Sequence, residues 1–180
     1  MKYVENHKTI EEERFATEFE TELGTMFAVV NKTGGLVRLT FGREGTKESL
    51  MAGASKSKCA LHWSDERCAE TIRQVRQYFA GERKEFELTL DFQGTDFQKQ
   101  VWSELINIPY GKTMSYGELA TKIGRPSASR AVGAANGANL IAVVVPCHRV
   151  IGANGKLTGY AFGVDAKERL LALEQGRMRY

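Results

Sequence analysis

Val143-Val144-Val145-Pro146-Cys147-His148-Arg149-Val150-Ile151-Gly152 is the stretch on which the reading of this chain turns. Three consecutive β-branched residues predict a buried strand, and Pro146 ends regular pairing because it has no amide hydrogen to donate. The chain then delivers a thiol, Cys147, followed at once by His148 and Arg149. A cysteine at a strand end beside two potential cations is an arrangement that lowers a sulfur's pKa and makes it a nucleophile. The competing reading is a buried structural cysteine, which needs no such neighbours. His148 is not expected to touch the thiol directly, since successive residues of extended chain face opposite ways.

Upstream of this run, Asn139 sits at a helix-to-strand junction, where asparagine supplies turn chemistry. Before it, Ser127–Gly137 reads as a helix whose one long cation is Arg130. Ser115-Tyr116-Gly117-Glu118 is a capping box opening a helix to Ile123, and Gly124-Arg125-Pro126 breaks it. Two short helices about a glycine-containing turn form a helix-turn-helix pattern. Gly133 and Gly137 each cost the second helix about 1 kcal/mol relative to alanine. A face made of Ala131, Gly133 and Ala134 therefore predicts close approach of another backbone, that of this protein or of a nucleic acid. Thr95-Asp96-Phe97-Gln98 is a further capping box, for a helix through Ile106 with a buried stripe of Phe97, Val101 and Leu105. Downstream of Cys147, a glycine-rich loop runs through Gly163, and a last helix spans Asp165 to Glu174.

The first half has a different texture. Phe15–Thr21, Met26–Val30 and Leu36–Phe41 have strand composition, and Asn31–Gly35 supplies a hairpin turn. Ser49–Lys58 reads as a loop. Asp65–Ala80 reads as an amphipathic helix with Cys68, Ile72, Val75 and Phe79 on one face, ended by Gly81. Phe86–Leu90 reads as a strand and Asp91–Gly94 as a link. Met1–Ile10 has little pattern, and Glu11–Glu13 reads as a solvated face. Cys59, His62 and Cys68 offer at most three metal ligands at irregular spacing, so no metal is expected.

Composition is ordinary for a soluble globular protein, with 42% hydrophobic and 26% charged residues. Three cysteines and no apolar leader point to a reducing compartment, the cytoplasm. No run reaches the ~18 apolar residues that span a bilayer, so no membrane partner is expected. Residues 1–94 carry 14 Lys and Arg against 16 Asp and Glu, whereas residues 95–180 carry 11 against 6. The basic half suits an anionic partner such as nucleic acid.

The order Pro146-Cys147-His148-Arg149-Val150, preceded by Arg130-Ala131-Val132-Gly133 in a helix-turn-helix, resembles the signature of the O6-alkylguanine-DNA alkyltransferases, the methylated-DNA–protein-cysteine methyltransferases. The resemblance is dense from Thr95 to Glu174 and rests on element order alone before that. It implies an α/β two-domain fold: a ribonuclease-H-like α/β amino-terminal domain over residues 1–92, then a mostly helical carboxy-terminal domain with a helix-turn-helix over residues 93–180. It implies a suicidal repair protein that binds double-stranded DNA through the minor groove as a monomer. The protein flips O6-alkylguanine out of the duplex and transfers the alkyl group irreversibly to Cys147, using no cofactor and no metal. O4-alkylthymine stays open as a second substrate.

The resemblance also implies roles for individual residues. Cys147 is the nucleophile, His148 takes its proton through water, and Glu174 orients the imidazole. Tyr116 protonates the departing base at N3, and Asn139 holds the turn that bears the thiol. Arg130 fills the gap left by the flipped nucleotide, with Ala131, Gly133 and Ala134 on the same DNA-binding helix. Tyr160, Ala161 and Val150 line the base pocket. Two positions depart from the pattern. The usual Asn-Pro is Asn139-Leu140, which predicts a looser hinge and the loss of a ring that lines the base pocket, and Phe162 replaces a glycine of the closing loop, which predicts a narrower pocket or a distorted loop. The alternative is an alkyltransferase-like protein that binds damage without efficient transfer, but such relatives lack the reactive cysteine.

Overall fold

In the computed structural model, residues 12–42 and 46–178 are described; the reading of residues 1–11 lies outside them. The chain opens with strands β1 (Glu12–Thr21), β2 (Gly24–Asn31) and β3 (Leu36–Phe41), joined by tight turns and paired antiparallel. Asn31 builds the second turn itself, because its Oδ1 accepts from the backbone of Thr33 and Gly35 while Gly34 takes φ +89°. Helix α1 (Lys47–Lys56), strand β4 (Cys59–Trp63) and helix α2 (Asp65–Phe79) follow. β4 lies parallel to β1, giving the sheet order β3-β2-β1-β4. One face of the sheet buries Phe19, Met26, Ala28 and Val30 in the main core with Cys68, Val75 and Phe79 of α2. The other face buries Ala16, Phe27 and Val29 with Leu50 of α1.

Two expectations for this half are corrected. Ser49–Lys58 is not a loop: Lys47–Lys56 is helical, started by a reciprocal cap between Thr46 and Ser49. Its only buried residue is Leu50, so the helix has almost no hydrophobic stripe for a sequence reading to find. Phe86–Leu90 is extended but joins the sheet only through a bridge between Leu90 and Leu36. The buried side chain of Gln74 takes the place of a neighbouring strand, accepting from Glu87 N at 2.8 Å and donating to Glu87 O at 3.1 Å.

The second half holds α3 (Asp96–Ile106), β5 (Met114–Ser115), α4 (Tyr116–Lys122) and α5 (Ser129–Gly137). A 3₁₀ turn (Cys147–Arg149), β6 (Val150–Ile151) and α6 (Val164–Glu174) complete it. Both capping boxes form as read, at Thr95 with Gln98 and at Ser115 with Glu118. The two halves share one hydrophobic core. They are also stitched by backbone, since Leu39 N donates to Leu140 O at 2.9 Å and Ala142 N donates to Leu39 O at 2.8 Å.

The valine run is the third correction. Its residues are buried, but they form no strand: Ile141 makes a single bridge to Leu39, and Val143 stands at φ +70°. A β-branched residue in the left-handed region costs about 1–3 kcal/mol and persists only where the surroundings fix it. Here short backbone bonds from Val144 N to Ala142 O, Val145 N to Ile141 O and Cys147 N to Val145 O coil the segment. The β-branched composition describes burial, and the coil delivers Cys147 to the core rather than to a sheet edge.

Candidate active site

Cys147 opens the 3₁₀ turn and is 4% exposed. Its Sγ receives a hydrogen bond from Asn139 Nδ2 at 3.1 Å. The same amide nitrogen donates to Val145 O at 2.9 Å, while Asn139 Oδ1 accepts from Ile141 N at 2.9 Å. One asparagine therefore clamps both ends of the coil and touches the sulfur. Leu140, in place of proline, is bonded through its carbonyl to β3, and Asn139 spans it.

His148 and Arg149 do not serve the sulfur as neighbouring cations, which corrects the expectation from their spacing. Both turn to Glu174 on α6. His148 Nε2 lies 2.8 Å from Glu174 Oε1, and Arg149 meets the same carboxylate through Nε and Nη2 at 2.9–3.2 Å. Arg149 Nη1 also donates to Ile108 O. Glu174 Oε2 accepts from Gly111 N at 3.0 Å. Gly111 has to be glycine, since it takes φ +74° and a Cβ would lie 2.9 Å from the Glu174 carbonyl oxygen. Burial alone would raise the Glu174 carboxyl, but the bonds and charges of His148 and Arg149 outweigh it and hold the group well below the usual carboxylate range. A carboxylate only accepts, so His148 Nε2 carries the hydrogen. Nδ1 is then the basic nitrogen, and it is buried without a protein partner.

Burial pushes the Cys147 thiol up, with the Asn139 amide and the Lys167 ammonium opposing it. Burial pushes His148 down, against the pull of Glu174. Both shifts favour the uncharged forms, a thiol at Cys147 and a neutral imidazole at His148. Lys167 is the charged group that bears on the thiol. It is fully buried on α6 and bonded through Nζ to Val150 O at 2.6 Å and Thr158 O at 2.9 Å, which ties β6 to the loop after it.

That loop, Leu157–Gly163, carries Tyr160, whose hydroxyl is buried near Cys147 without a bond of good geometry. Ala161 is exposed, and Val150 is fully buried behind the turn. Phe162 is buried. Its ring packs edge-on against Phe41 of β3 at 5.1 Å and against Tyr160 at 5.3 Å, in the seam between the two halves. Tyr116, half-buried at the start of α4, faces Gly133 and accepts from Thr158 Oγ1 at 3.5 Å. The loop thus touches the helix-turn-helix across the site.

On α5, Arg130, Ala131 and Ala134 are exposed and Gly133 is half-buried. A Cβ at Gly133 would meet only ordinary contacts with Tyr116, and one at Gly137 would meet nothing within 4 Å. Internal packing therefore does not require either glycine, and the bare face is open to a partner. The inner face is fixed, with Trp102 Nε1 donating to Ala135 O at 2.8 Å.

The structure thus gathers Cys147, Asn139, His148, Glu174, Tyr160 and Val150 in one site, sets Tyr116 at its rim and leaves Arg130 on the outer surface. Sequence reasoning named Arg149 only as a cation beside the thiol and missed Lys167, Asn136 and Tyr78. Asn136 is buried and donates to Cys147 O at 3.3 Å, and Tyr78 reaches Glu174 from α2. A signal existed for two of them. Arg149 lies in an apolar run and so requires a buried acid, and Lys167 occupies the stripe that continues as Leu171 and Glu174.

Residues 96–176 match the family described as 6-O-methylguanine DNA methyltransferase, DNA binding domain, and residues 15–92 match its ribonuclease-like domain. The methylated-DNA–protein-cysteine methyltransferase of Methanosarcina acetivorans is 52% identical over 82% of this chain and 97% of its own. That of Methanosarcina barkeri is 44% identical over 85% of this chain and 99% of its own. The crystal structure of Mycobacterium tuberculosis OGT in complex with DNA superposes with a TM-score of 0.79 at 40% identity, covering 93% of this chain and 95% of that one. Sequence, two-domain fold and the buried cysteine turn agree, and the chain belongs to the methylated-DNA–protein-cysteine methyltransferase family.

Proposed function

We propose that this protein repairs DNA by a single irreversible transfer, moving the alkyl group of O6-alkylguanine in duplex DNA to Cys147. O4-alkylthymine presents a similar alkylated oxygen and is the natural second substrate to assay. The observation that carries this reading is the buried thiol held by Asn139 in a turn whose next residue, His148, is locked to Glu174. The imidazole Nδ1 receives the thiol proton through a bridging water. The thiolate then attacks the alkyl carbon in line, the S–C bond forms, and the C–O6 bond breaks with its electron pair leaving on the purine. Tyr116 supplies a proton at N3, so the base departs neutral. The thioether has no route back to thiol, which makes the protein a reagent consumed once.

DNA is bound through α5 in the minor groove by a monomer. Arg130 enters the stack as the damaged nucleotide leaves, offsetting the few kcal/mol of lost stacking and pairing. Residues 1–92 and 93–180 act as two domains, the second bearing the chemistry. No helix among the described residues is long and apolar enough to cross a membrane. Three thiols outside any disulfide suit the cytoplasm.

Intact-mass measurement after incubation with an O6-methylguanine duplex tests the reading. One methyl group per protein, mapped to Cys147 and absent from Cys147→Ala, is the expected result. Tight binding of the duplex with no mass gain would favour the damage-binding alternative.

A further inference from the structure

The carboxylate that orients His148 is also held from the other half of the protein. Tyr78, on α2 and 96 residues from Glu174 in sequence, donates its hydroxyl to Glu174 Oε1 at 2.7 Å. The ring is fully buried, stacked among Phe79, Phe86 and Tyr110, so the hydroxyl has no solvent to turn to. The bond lands on the oxygen that meets His148 Nε2.

We propose that Tyr78 is a positioning residue for the Cys147 reaction, through which the amino-terminal half sets the basicity of His148. The inference rests on the transfer reading given above. A donor on Glu174 Oε1 draws carboxylate charge away from the imidazole, and its removal leaves more of that charge facing His148. The other groups around the dyad are Arg149 on the 3₁₀ turn, Tyr110 after α3 and Lys167 on α6, with Tyr160 acting on Cys147 and Glu174. Among these and Tyr78, only Arg149 and Tyr78 bond the Glu174 carboxylate alongside His148, and Arg149 is a fixed cation. Burial and Glu174 both push the Tyr78 phenol well above its ordinary pKa, so it stays a donor throughout the working range.

The test is Tyr78→Phe, which removes one oxygen and keeps the ring packing. Single-turnover alkylation of Cys147 is followed from pH 5 to 9 with methylated duplex and with free O6-benzylguanine, and iodoacetamide gives a third profile that needs neither DNA nor base. His148 must be neutral to accept the thiol proton, so a more basic imidazole moves the acid limb to higher pH. The expected shift is about half a pH unit, with rates on that limb lower by about threefold and the alkaline plateau little changed, on all three reagents. Val75→Ala, a cavity in the same helix away from Glu174, is the comparison: it lowers the melting temperature and leaves the limb in place. An unmoved limb in Tyr78→Phe, or a shift reproduced by Val75→Ala, overturns the assignment. Absence of transfer by the unmodified protein would instead overturn the functional reading, while the iodoacetamide profile still decides the role of Tyr78.

Discussion

The turn at Cys147 and the outer face of α5 lie ten residues apart at their nearest and are built on opposite terms. Around Glu174, a buried carboxylate receives donors from α2, from Gly111 and from both His148 and Arg149. On α5, Arg130, Ala131, Ala134 and Gly137 face outward and carry no packing duty. The thiol turn is over-determined, and the outer face of α5 is stripped to backbone and one cation. A thiol that reacts once must be held in register for the in-line attack. A helix that must approach a nucleic-acid backbone gains from having little on it. The contrast implies that mutations in the first region act on stability and rate together, and those in the second on DNA alone.

The largest expected effect is at the carboxylate. Glu174→Gln leaves Arg149 buried without its counter-charge, and breaking such a pair costs about 3–5 kcal/mol. Urea unfolding should show it, and a loss under 1 kcal/mol would mean the network is decorative. The pH dependence carries a sign. The Glu174 carboxyl is depressed from 4.5 in the fold, so its contribution is complete above that value and is lost only as pH falls into strong acid. His148 is likewise depressed from 6.5, so the folded state should weaken as pH falls below that value.

Arg130→Ala probes the other region. Repair of a base in duplex DNA should slow roughly tenfold to a hundredfold, while reaction with free O6-benzylguanine and the melting temperature stay unchanged. Equal loss on both substrates would place Arg130 in the fold rather than at the DNA. Duplex affinity should also fall as salt rises.

Methylation of Cys147 joins the two regions. A methyl group added to a residue that is 4% exposed, clamped by Asn139, is overpacked by about 1–3 kcal/mol. Melting after stoichiometric methylation should therefore fall, with faster hydrogen exchange across residues 115–150. An unchanged melting temperature would show that the pocket accepts the group without strain.

The smallest effect sharpens the comparison most. A Cβ at Gly137 meets nothing within 4 Å, so Gly137→Ala should stabilise the protein by about 0.5–1 kcal/mol. It should weaken duplex binding at the same time. A gain in stability with unaltered affinity would show that the bare face is not where DNA docks.

Much of this was legible locally. Thr95 with Gln98 and Ser115 with Glu118 announced two helices, because a capping box is closed within four residues. The period of Cys68, Val75 and Phe79 gave α2, and Asn31–Gly35 gave the hairpin. Pro146-Cys147-His148-Arg149 marked the buried cysteine turn and, with the family resemblance, the side chains gathered around it. The errors were also local in origin. The valine run reads as a strand because β-branched residues signal burial in any backbone form, and α1 leaves no periodic signal because it buries only Leu50.

What the sequence by itself determined was which residue reacts and which short segments start and stop. The tertiary structure decided whom His148, Arg149 and Lys167 address, where Phe162 goes, and that Tyr78 reaches Glu174 across 96 residues. The reason is physical. Caps and turns are satisfied by neighbours a few residues away, so their partners are written beside them. A buried charge is satisfied by whatever the packing of distant elements brings within about 3 Å, and no local pattern records that distance.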